Sequence, residues 1–261
     1  MRTIVWKILP LLMGGWLGAQ PMLAAAPPDY TPWQTLLTKH YDPARGMRYR
    51  ALRDQDKPAL DRLRLQLAQV DPAGLAPKDR LAYWINLYNV SVVATVVDNY
   101  PIASIRDLST DPFVRLNVFK KDTIPVRGGK ISLDTIEHVK IREAFKDPRI
   151  HFAINCAARS CPPIRPEPFV GARLDQQLDD QVRKLLADPH HLRMEKSERG
   201  VVLHVNKILD WFADDFEQWG GGRVAFLRKY LAPERQVFLD PKAKVVLEFN
   251  EYSWDLNDAS R

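Results

Sequence analysis

The sequence predicts an α+β fold in which a central buried helix, a small, mostly antiparallel sheet and surrounding amphipathic helices form a single domain. Apolar residues recur at helical spacing over residues 57–70 and 176–187, which is typical of amphipathic helices. Residues 78–100 have hardly any polar face, which indicates a helix buried on all sides. Short strand patterns are interleaved irregularly with these helices, and this order favours α+β over a doubly wound parallel sheet.

The N-terminus has the order of a secretory signal peptide. Two positive charges are followed by an apolar run of 12 residues at 8–19 and by alanines at 24–26. The run is shorter than the roughly 20 residues that span a bilayer, so we expect no permanent membrane span; an uncleaved anchor is the alternative. Cleavage near the second of these alanines would divide the chain into a signal peptide at 1–25 and one domain at 26–261, which we expect in the periplasm or secreted.

The charge pattern argues against nucleic acid as a partner. The net charge of +6 falls to +4 when the signal peptide removes Arg2 and Lys7. The remaining basic residues are scattered among acidic ones and form no stripe interleaved with aromatic side chains. The sequence also lacks a Gly-rich phosphate loop, a Gly-x-Ser-x-Gly elbow and a His-Glu-x-x-His motif, so we expect no cofactor.

Beyond the central helix, the patterns alternate between strands and helices. Strands are predicted at 113–120 and 123–132, the second bent at an Arg-Gly-Gly-Lys hairpin turn. A helix is predicted at 133–145, with Ser132 as its N-cap.

Further strands are predicted at 149–155, 201–205 and 243–249. A helix at 207–219, capped by Asn206, should end at a run of three glycines.

The strand expected at 149–155 leads directly into the cysteine segment. In a regular strand, His151 and Asn155 would point to one side and stand roughly 13 Å apart. Cys156 lies further along, so His151 could not serve as its base.

The helix at 133–145 offers a better base for a thiol nucleophile. Asp134, His138 and Arg142 follow at intervals of four residues and share one face. The candidate catalytic residues are therefore Cys156, His138 and Asp134. Asp134 or Asn86 would orient the imidazole, and Asp134 would hold it protonated and so lower the pKa of the thiol. A row of surface salt bridges is the other interpretation.

The two cysteines allow several interpretations. A structural Cys156–Cys161 disulfide is the simplest in an exported protein, and its short loop would contribute about 2 kcal/mol. A zinc site with His138 and His151 has only weak support from spacing, so we predict no metal. Thiol-disulfide exchange would normally use Cys-x-x-Cys spacing, which is absent.

Polar side chains near these segments form a candidate binding pocket. Amides on the buried helix must find partners or cost roughly 1 to 3 kcal/mol, so they either tie loops to the helix or line a pocket. The candidate pocket residues are Asn86, Asn89, Glu137, Arg142, His151 and Asn155.

A set of motifs occurs along most of the chain. They lie at residues 83–89, 132–138, 147–163, 210–216 and 252–257 and begin, in that order, with Tyr-Trp-Ile-Asn, Ser-Leu-Asp, Asp-Pro-Arg-Ile, Asp-Trp-Phe and Tyr-Ser-Trp-Asp. Together they resemble the family called domain of unknown function 547. The resemblance implies one domain, found in bacterial exported proteins and elsewhere, with no settled activity. The order of elements is also similar to papain-like and transglutaminase-like thiol folds, by analogy only.

Two functions are compatible with these features. The first is a binding or assembly module of the cell envelope, stapled by the disulfide, whose partner is an unknown envelope protein or small ligand. The second is a thiol-dependent hydrolase or acyltransferase with Cys156 as nucleophile and His138 as base. Because export exposes cysteines to an oxidising compartment, the module is favoured.

Overall fold

A computed structural model describes residues 24–111, 117–197, 200–239 and 244–260 of the 261-residue chain. Most of the predicted signal peptide and the first part of the strand expected at 113–120 lie outside these residues. None of the described helices is long and apolar enough to cross a bilayer.

The helices differ widely in length. The α-helices are α1 Thr31–His40, α2 Tyr49–Ala68, α3 Pro77–Asn99, α4 Leu174–Ala187, α5 Ile208–Trp211, α6 Ala213–Gln218, α7 Gly222–Tyr230 and α8 Pro233–Gln236. A π-helix occupies Thr135–Glu143. The 3₁₀ segments are Pro72–Gly74, Ile105–Leu108, Asn117–Lys120, Pro148–Phe152, Gly171–Arg173 and Val237–Leu239.

The strands form three small sheets, mostly antiparallel. They are β1 Tyr41–Asp42, β2 Gly46–Met47, β3 Ile124–Val126, β4 Gly129–Ile131, β5 Leu192–Ser197, β6 Gly200–Val205 and β7 Val245–Phe249. The pairs β1–β2, β3–β4 and β5–β6 are antiparallel, whereas β7 adds to β6 in parallel. The predicted α+β class is confirmed, with the strands distributed over three sheets instead of one.

Helix α3 is the central helix that the sequence predicts. Sixteen of its 23 residues are buried, because its side chains are apolar on every face. Helix α2 packs along it through Leu60, Leu63 and Leu67, the apolar face expected from their spacing. The burial of one helix by its neighbours thus builds the larger of two cores.

The two cores meet at the segment that precedes the cysteines. Ile150 and Ala153 belong to the cluster around α3. Phe152 belongs to the second cluster, where it packs on Phe216 and Phe226 with ring centroids 6.3 and 5.7 Å away. Because the segment is anchored from both sides, the residues between these anchors are held in fixed positions.

The strand predicted at 149–155 is wrong, because Pro148–Phe152 forms a 3₁₀ helix. The Asp147 carboxylate caps it by accepting from the Arg149 backbone N–H at 3.0 Å, and Pro148 supplies a helical φ at the first position. This local capping overrides the alternating apolar pattern. The expected strand at 113–120 is also wrong at its described end, which is the 3₁₀ segment Asn117–Lys120.

The predicted helix at 133–145 is present, and Ser132 caps it by accepting from the Thr135 backbone N–H at 3.0 Å. Its interior is a π-helix, a widened form that often occurs at functional sites. The helix expected at 207–219 is interrupted at Phe212, which separates α5 from α6. Strand β5 has no counterpart among the strands that the sequence predicted.

Candidate functional site

A cavity of about 360 Å³ opens beside the π-helix. Its walls include residues of the π-helix, both cysteines, α5 with the residue that follows it, and the segment after β7. Elements distant in sequence meet here because the segment before the cysteines is fixed between the two cores.

One wall of the cavity is aromatic. The rings of Trp211, Tyr252 and Trp254 form a cluster with centroid distances of 4.7 Å, 4.9 Å and 6.1 Å. Trp211 is 46% exposed, which is unusual for so large an apolar side chain. A ligand in the cavity would therefore contact aromatic surface on this wall.

The π-helix supplies the polar end of the cavity. The His138 Nε2 atom lies 3.6 Å from an Asp134 carboxylate oxygen, and its Nδ1 atom lies 2.8 Å from Nη1 of Arg142. A guanidinium can only donate, so Nδ1 accepts and Nε2 carries the ring proton. The three predicted side chains are in contact as their spacing suggested. An imidazole that accepts through Nδ1 carries one ring proton, whereas we expected His138 to carry two.

Asp215, on α6, extends this row. Arg142 donates to both its carboxylate oxygens at 2.8 and 2.9 Å, and His151 approaches it through Nε2 at 2.7 Å. Burial by itself would raise the pKa of Asp215, but the hydrogen bonds from His151 and Arg142 hold it well below its usual range. Asp215 is therefore an ionised acceptor, and His151 is the donor in their contact.

His151 has a second ring nitrogen that faces a different environment. The side chain is 2% exposed, and its ring stacks on Phe212 at 3.9 Å between centroids. Its Nδ1 atom is buried and has no hydrogen-bond partner among the residues that the structure describes. Burial lowers the pKa of His151 in spite of the neighbouring Asp215. The ring is therefore neutral, with its proton on Nε2 and a lone pair on Nδ1.

Glu137 is the second carboxylate at the polar end. It accepts a hydrogen bond from the Tyr88 hydroxyl at 3.2 Å. Burial raises the pKa of Glu137, and burial also raises that of Tyr88. A group that donates hydrogen bonds or carries positive charge would favour the ionised form of this carboxylate.

The predicted disulfide between Cys156 and Cys161 is present, with Cα atoms 6.2 Å apart. The Tyr252 hydroxyl lies 3.2 Å from Cys156 Sγ and 3.0 Å from Cys161 Sγ, so the bond is attached to the aromatic wall. Neither sulfur is a free thiol in this state. In the described part of the chain, no group of three or more His, Cys, Asp or Glu side chains is arranged to hold a metal ion.

Asn86 and Asn89 bond backbone groups and are not among the residues that line the cavity. Asn86 donates to the carbonyl of Phe169 at 2.7 Å and accepts from its N–H at 3.0 Å. Asn89 donates to the Ala153 carbonyl and accepts from the Asn155 N–H, both at 2.9 Å. Both amides therefore tie loops to α3.

Asn155 holds the cysteine loop in place. Its Nδ2 donates to the Pro162 carbonyl at 2.7 Å, and its Oδ1 accepts from the Ala157 N–H at 2.8 Å. Ala157 has a φ of +64°, a left-handed conformation that costs a residue with a side chain about 1–2 kcal/mol. The hydrogen bonds of Asn155 offset that cost. Asn155 lines a separate cavity of about 460 Å³, which lies beyond the disulfide.

Residues 72–186 match the family model described as "Protein of unknown function, DUF547". The chain contains a DUF547 domain. No curated protein matches the chain, and no solved structure matches it.

The DUF547 match covers only part of the cavity. It contains α3, the π-helix and both cysteines. Asp215 and the aromatic wall lie beyond residue 186. The single domain predicted at 26–261 stays a prediction.

Sequence reasoning missed Asp215 and the aromatic wall as site residues. Asp215 contacts side chains 64 and 73 positions away, and no local pattern encodes such a pairing. The signal that could have found them was the resemblance to the DUF547 family, because the segments 210–216 and 252–257, which contribute to that resemblance but lie outside the matched residues, contain these side chains.

Proposed function

We propose that the protein is an exported binding module of the cell envelope that holds a small ligand in the 360 Å³ cavity. One observation carries the proposal: the cavity combines an aromatic wall with His151, whose buried Nδ1 atom has no hydrogen-bond partner among the described residues. Preformed apolar cavities with a few convergent polar groups are the usual form of small-molecule sites.

In this proposal the disulfide is a structural staple. It closes a short loop and, through the Tyr252 hydroxyl, connects that loop to the aromatic wall. Two observations support export: the order of charges and apolar residues at the N-terminus, and the presence of a disulfide, which is stable in oxidising compartments. N-terminal sequencing of protein from the envelope fraction should find a mature chain that begins near residue 26. Full-length protein in the cytoplasm would contradict export.

Trp211 provides a readout for ligand binding. Tryptophan fluorescence is followed while single-ring aromatic amines, alcohols and carboxylates are titrated into the oxidised protein. At least one compound should bind saturably, and Trp211→Ala should abolish that binding, which is measured for this variant by isothermal titration because the substitution removes the fluorophore. The matched control is Trp219→Phe, because Trp219 packs on Phe226 in the second core and is not among the residues that line the cavity. If no compound in this panel binds, or if Trp211→Ala leaves binding unchanged, the binding function is wrong.

The staple is tested separately. Cys156→Ser combined with Cys161→Ser should lower the melting temperature. The ligand affinity should stay within about twofold of the wild-type value, because neither sulfur forms a covalent bond to the ligand in this proposal. A double variant that keeps its fold and loses binding would contradict the structural role of the disulfide.

A thiol-dependent hydrolase or acyltransferase is the second candidate. It is favoured by one observation, that Cys156 and His138 line the same cavity. This function requires the disulfide to be reduced. Native mature protein should then contain two thiols that react with iodoacetamide, and Cys156→Ser should abolish activity. A count of zero thiols in protein taken directly from the envelope favours the module.

A further inference from the structure

The polar end of the cavity also identifies a class of ligand, an inference that rests on the proposed function. We propose that the cavity binds a small organic ammonium ion with an apolar ring or chain. Its N–H groups would donate to His151 Nδ1 and to the carboxylates of Glu137 and Asp134. Its apolar part would lie against the aromatic wall formed by Trp211, Tyr252 and Trp254.

His151 is the anchor of this proposal. Its Nε2 edge is turned towards Asp215, which is not among the lining residues, whereas the ring itself lines the cavity. Asp215 also binds Arg142 and is ionised, so it can only accept from His151. The proton is thereby fixed on Nε2, and the buried Nδ1 atom keeps a lone pair that has no partner among the described residues. A ligand group that binds Nδ1 must be a donor.

The neighbouring polar groups are acceptors too. Glu137 already receives the Tyr88 hydroxyl on one oxygen and keeps further acceptor capacity. The polar contact of the Asp134 carboxylate within the described residues is the N–H of His138, 3.6 Å away. An ammonium group offers several donors and a positive charge, and it satisfies such a set of acceptors better than a carboxylate, phosphate or carbonyl group.

The charges around the cavity favour a cation. Among the lining residues, Asp134 and Glu137 exceed the single cation Lys120 by one negative charge when Glu137 is ionised and both imidazoles are neutral. Arg106 is not a lining residue, but its guanidinium lies over the Trp254 ring, 5.2 Å from the centroid, so the rings left for a ligand cation are those of Trp211 and Tyr252. Arg142 adds no free charge because Asp215 neutralises it through two hydrogen bonds. Desolvation of an uncompensated carboxylate is unfavourable, and a bound cation relieves it.

The aromatic wall suits the same ligand. Trp and Tyr rings attract cations over their faces and bind apolar rings or chains by contact. A cavity of about 360 Å³ lies at the lower end of the range for small-molecule sites and suits a single ring with a short amine arm.

Four small probes separate this ligand class from its rivals. Isothermal titration of the oxidised mature protein at pH 7.5 compares 2-phenylethylamine, 2-phenylethanol, phenylacetate and methyl β-glucoside. The first three share one ring and similar length but differ in charge and donors. We expect 2-phenylethylamine to bind about tenfold more tightly than the alcohol, as one charge-assisted hydrogen bond would provide. Phenylacetate should bind most weakly of the aromatic probes.

Two variants test the contacts. His151→Gln keeps an N–H donor near Asp215 but removes Nδ1, and Glu137→Gln keeps an acceptor for Tyr88 but removes the charge. Each variant should weaken the binding of 2-phenylethylamine about fivefold or more. Glu137→Gln should leave the binding of 2-phenylethanol nearly unchanged. Glu234→Gln removes one charge on exposed α8 and is the matched control, expected to leave binding unchanged. Circular dichroism checks that each variant is folded.

The outcomes that overturn the inference are distinct from those that overturn the binding function. Tighter binding of phenylacetate, 2-phenylethanol or methyl β-glucoside, lost in Trp211→Ala, would overturn the ammonium class and leave the binding module intact. Equal binding of the amine to wild-type, His151→Gln and Glu137→Gln protein would overturn the proposed anchors. If none of the four probes binds, the ligand class is wrong, and the wider panel described above decides the function.

Discussion

The contact between Arg142 and Asp215 holds the polar end of the cavity together, so its removal gives the sharpest test of the site's architecture. Asp215→Asn replaces an ionised acceptor of three hydrogen bonds by a neutral amide with one oxygen. The side chains of Arg142 and Asp215 are 25% and 23% exposed, so water compensates only in part. Removal of one partner from a fully buried pair costs about 3–5 kcal/mol, and we expect about 3 kcal/mol here.

A double-mutant cycle isolates the pair itself. Arg142→Met should lower the free energy of unfolding by about 2–3 kcal/mol, because it leaves the Asp215 carboxylate with His151 as its remaining partner. The free energy of unfolding of the double variant should fall by about 2 kcal/mol less than the sum of the two single losses, because the second substitution no longer leaves a charged side chain without its partner. Urea denaturation followed by circular dichroism measures all four proteins under identical conditions.

An exposed pair provides the control. Arg127 and Asp71 lie 2.8 Å apart with side chains 61% and 51% exposed. Arg127→Met should change the free energy of unfolding by less than about 1 kcal/mol, as is usual for surface ion pairs. Single losses at Arg142 and Asp215 as small as this, or losses that add within about 0.5 kcal/mol, would show that the pair does not organise the site.

Three further predictions follow from other parts of the structure. Replacement of Cys156 and Cys161 by Ser should lower the free energy of unfolding by about 2 kcal/mol, measured by urea denaturation, and no loss would contradict the loop-closure argument. Gly46→Ala should cost more than about 2 kcal/mol, because Gly46 has a φ of +107° and a Cβ there would overlap the carbonyl of Asn257; a crystal structure of the variant should show the C-terminal segment displaced. Burial lowers the pKa of His151, so the unfolded chain takes up a proton near pH 6.5 while the folded state resists it, and stability should fall as pH decreases through that value. The slope can reach about 1.4 kcal/mol per pH unit for this one group, and His151→Gln should flatten the profile measured by thermal denaturation in overlapping buffers.

The sequence predicted most of the elements that build the site. The uninterrupted apolar surface of 78–100 required burial on all sides, and α3 fulfils this. The spacing of Asp134, His138 and Arg142 predicted their contact, which the π-helix preserves. The two cysteines, five positions apart in a chain with a predicted signal peptide, indicated a disulfide, because a short loop and an oxidising compartment favour that bond, and the bond is present.

The error at 149–155 shows where such reasoning fails. Alternating apolar residues indicate a strand only if the backbone is extended, and here Asp147 and Pro148 impose a 3₁₀ helix through capping and a fixed φ. The change of backbone moved His151 from a strand face into the buried contact with Asp215. The apolar residues of this segment were identified correctly, but the strand predicted from them gave the His151 side chain the wrong orientation.

The sequence alone determined the α+β class, the central helix, the cysteine pair and the row on the π-helix, because each depends on residues close together in the chain or on overall polarity. Only the tertiary structure decided that Asp215 fixes the tautomer of His151, that the disulfide contacts the Tyr252 hydroxyl, and that the aromatic wall and the polar end line one cavity. These features arise because two separate cores position distant segments against one another. No spacing along the chain records that arrangement.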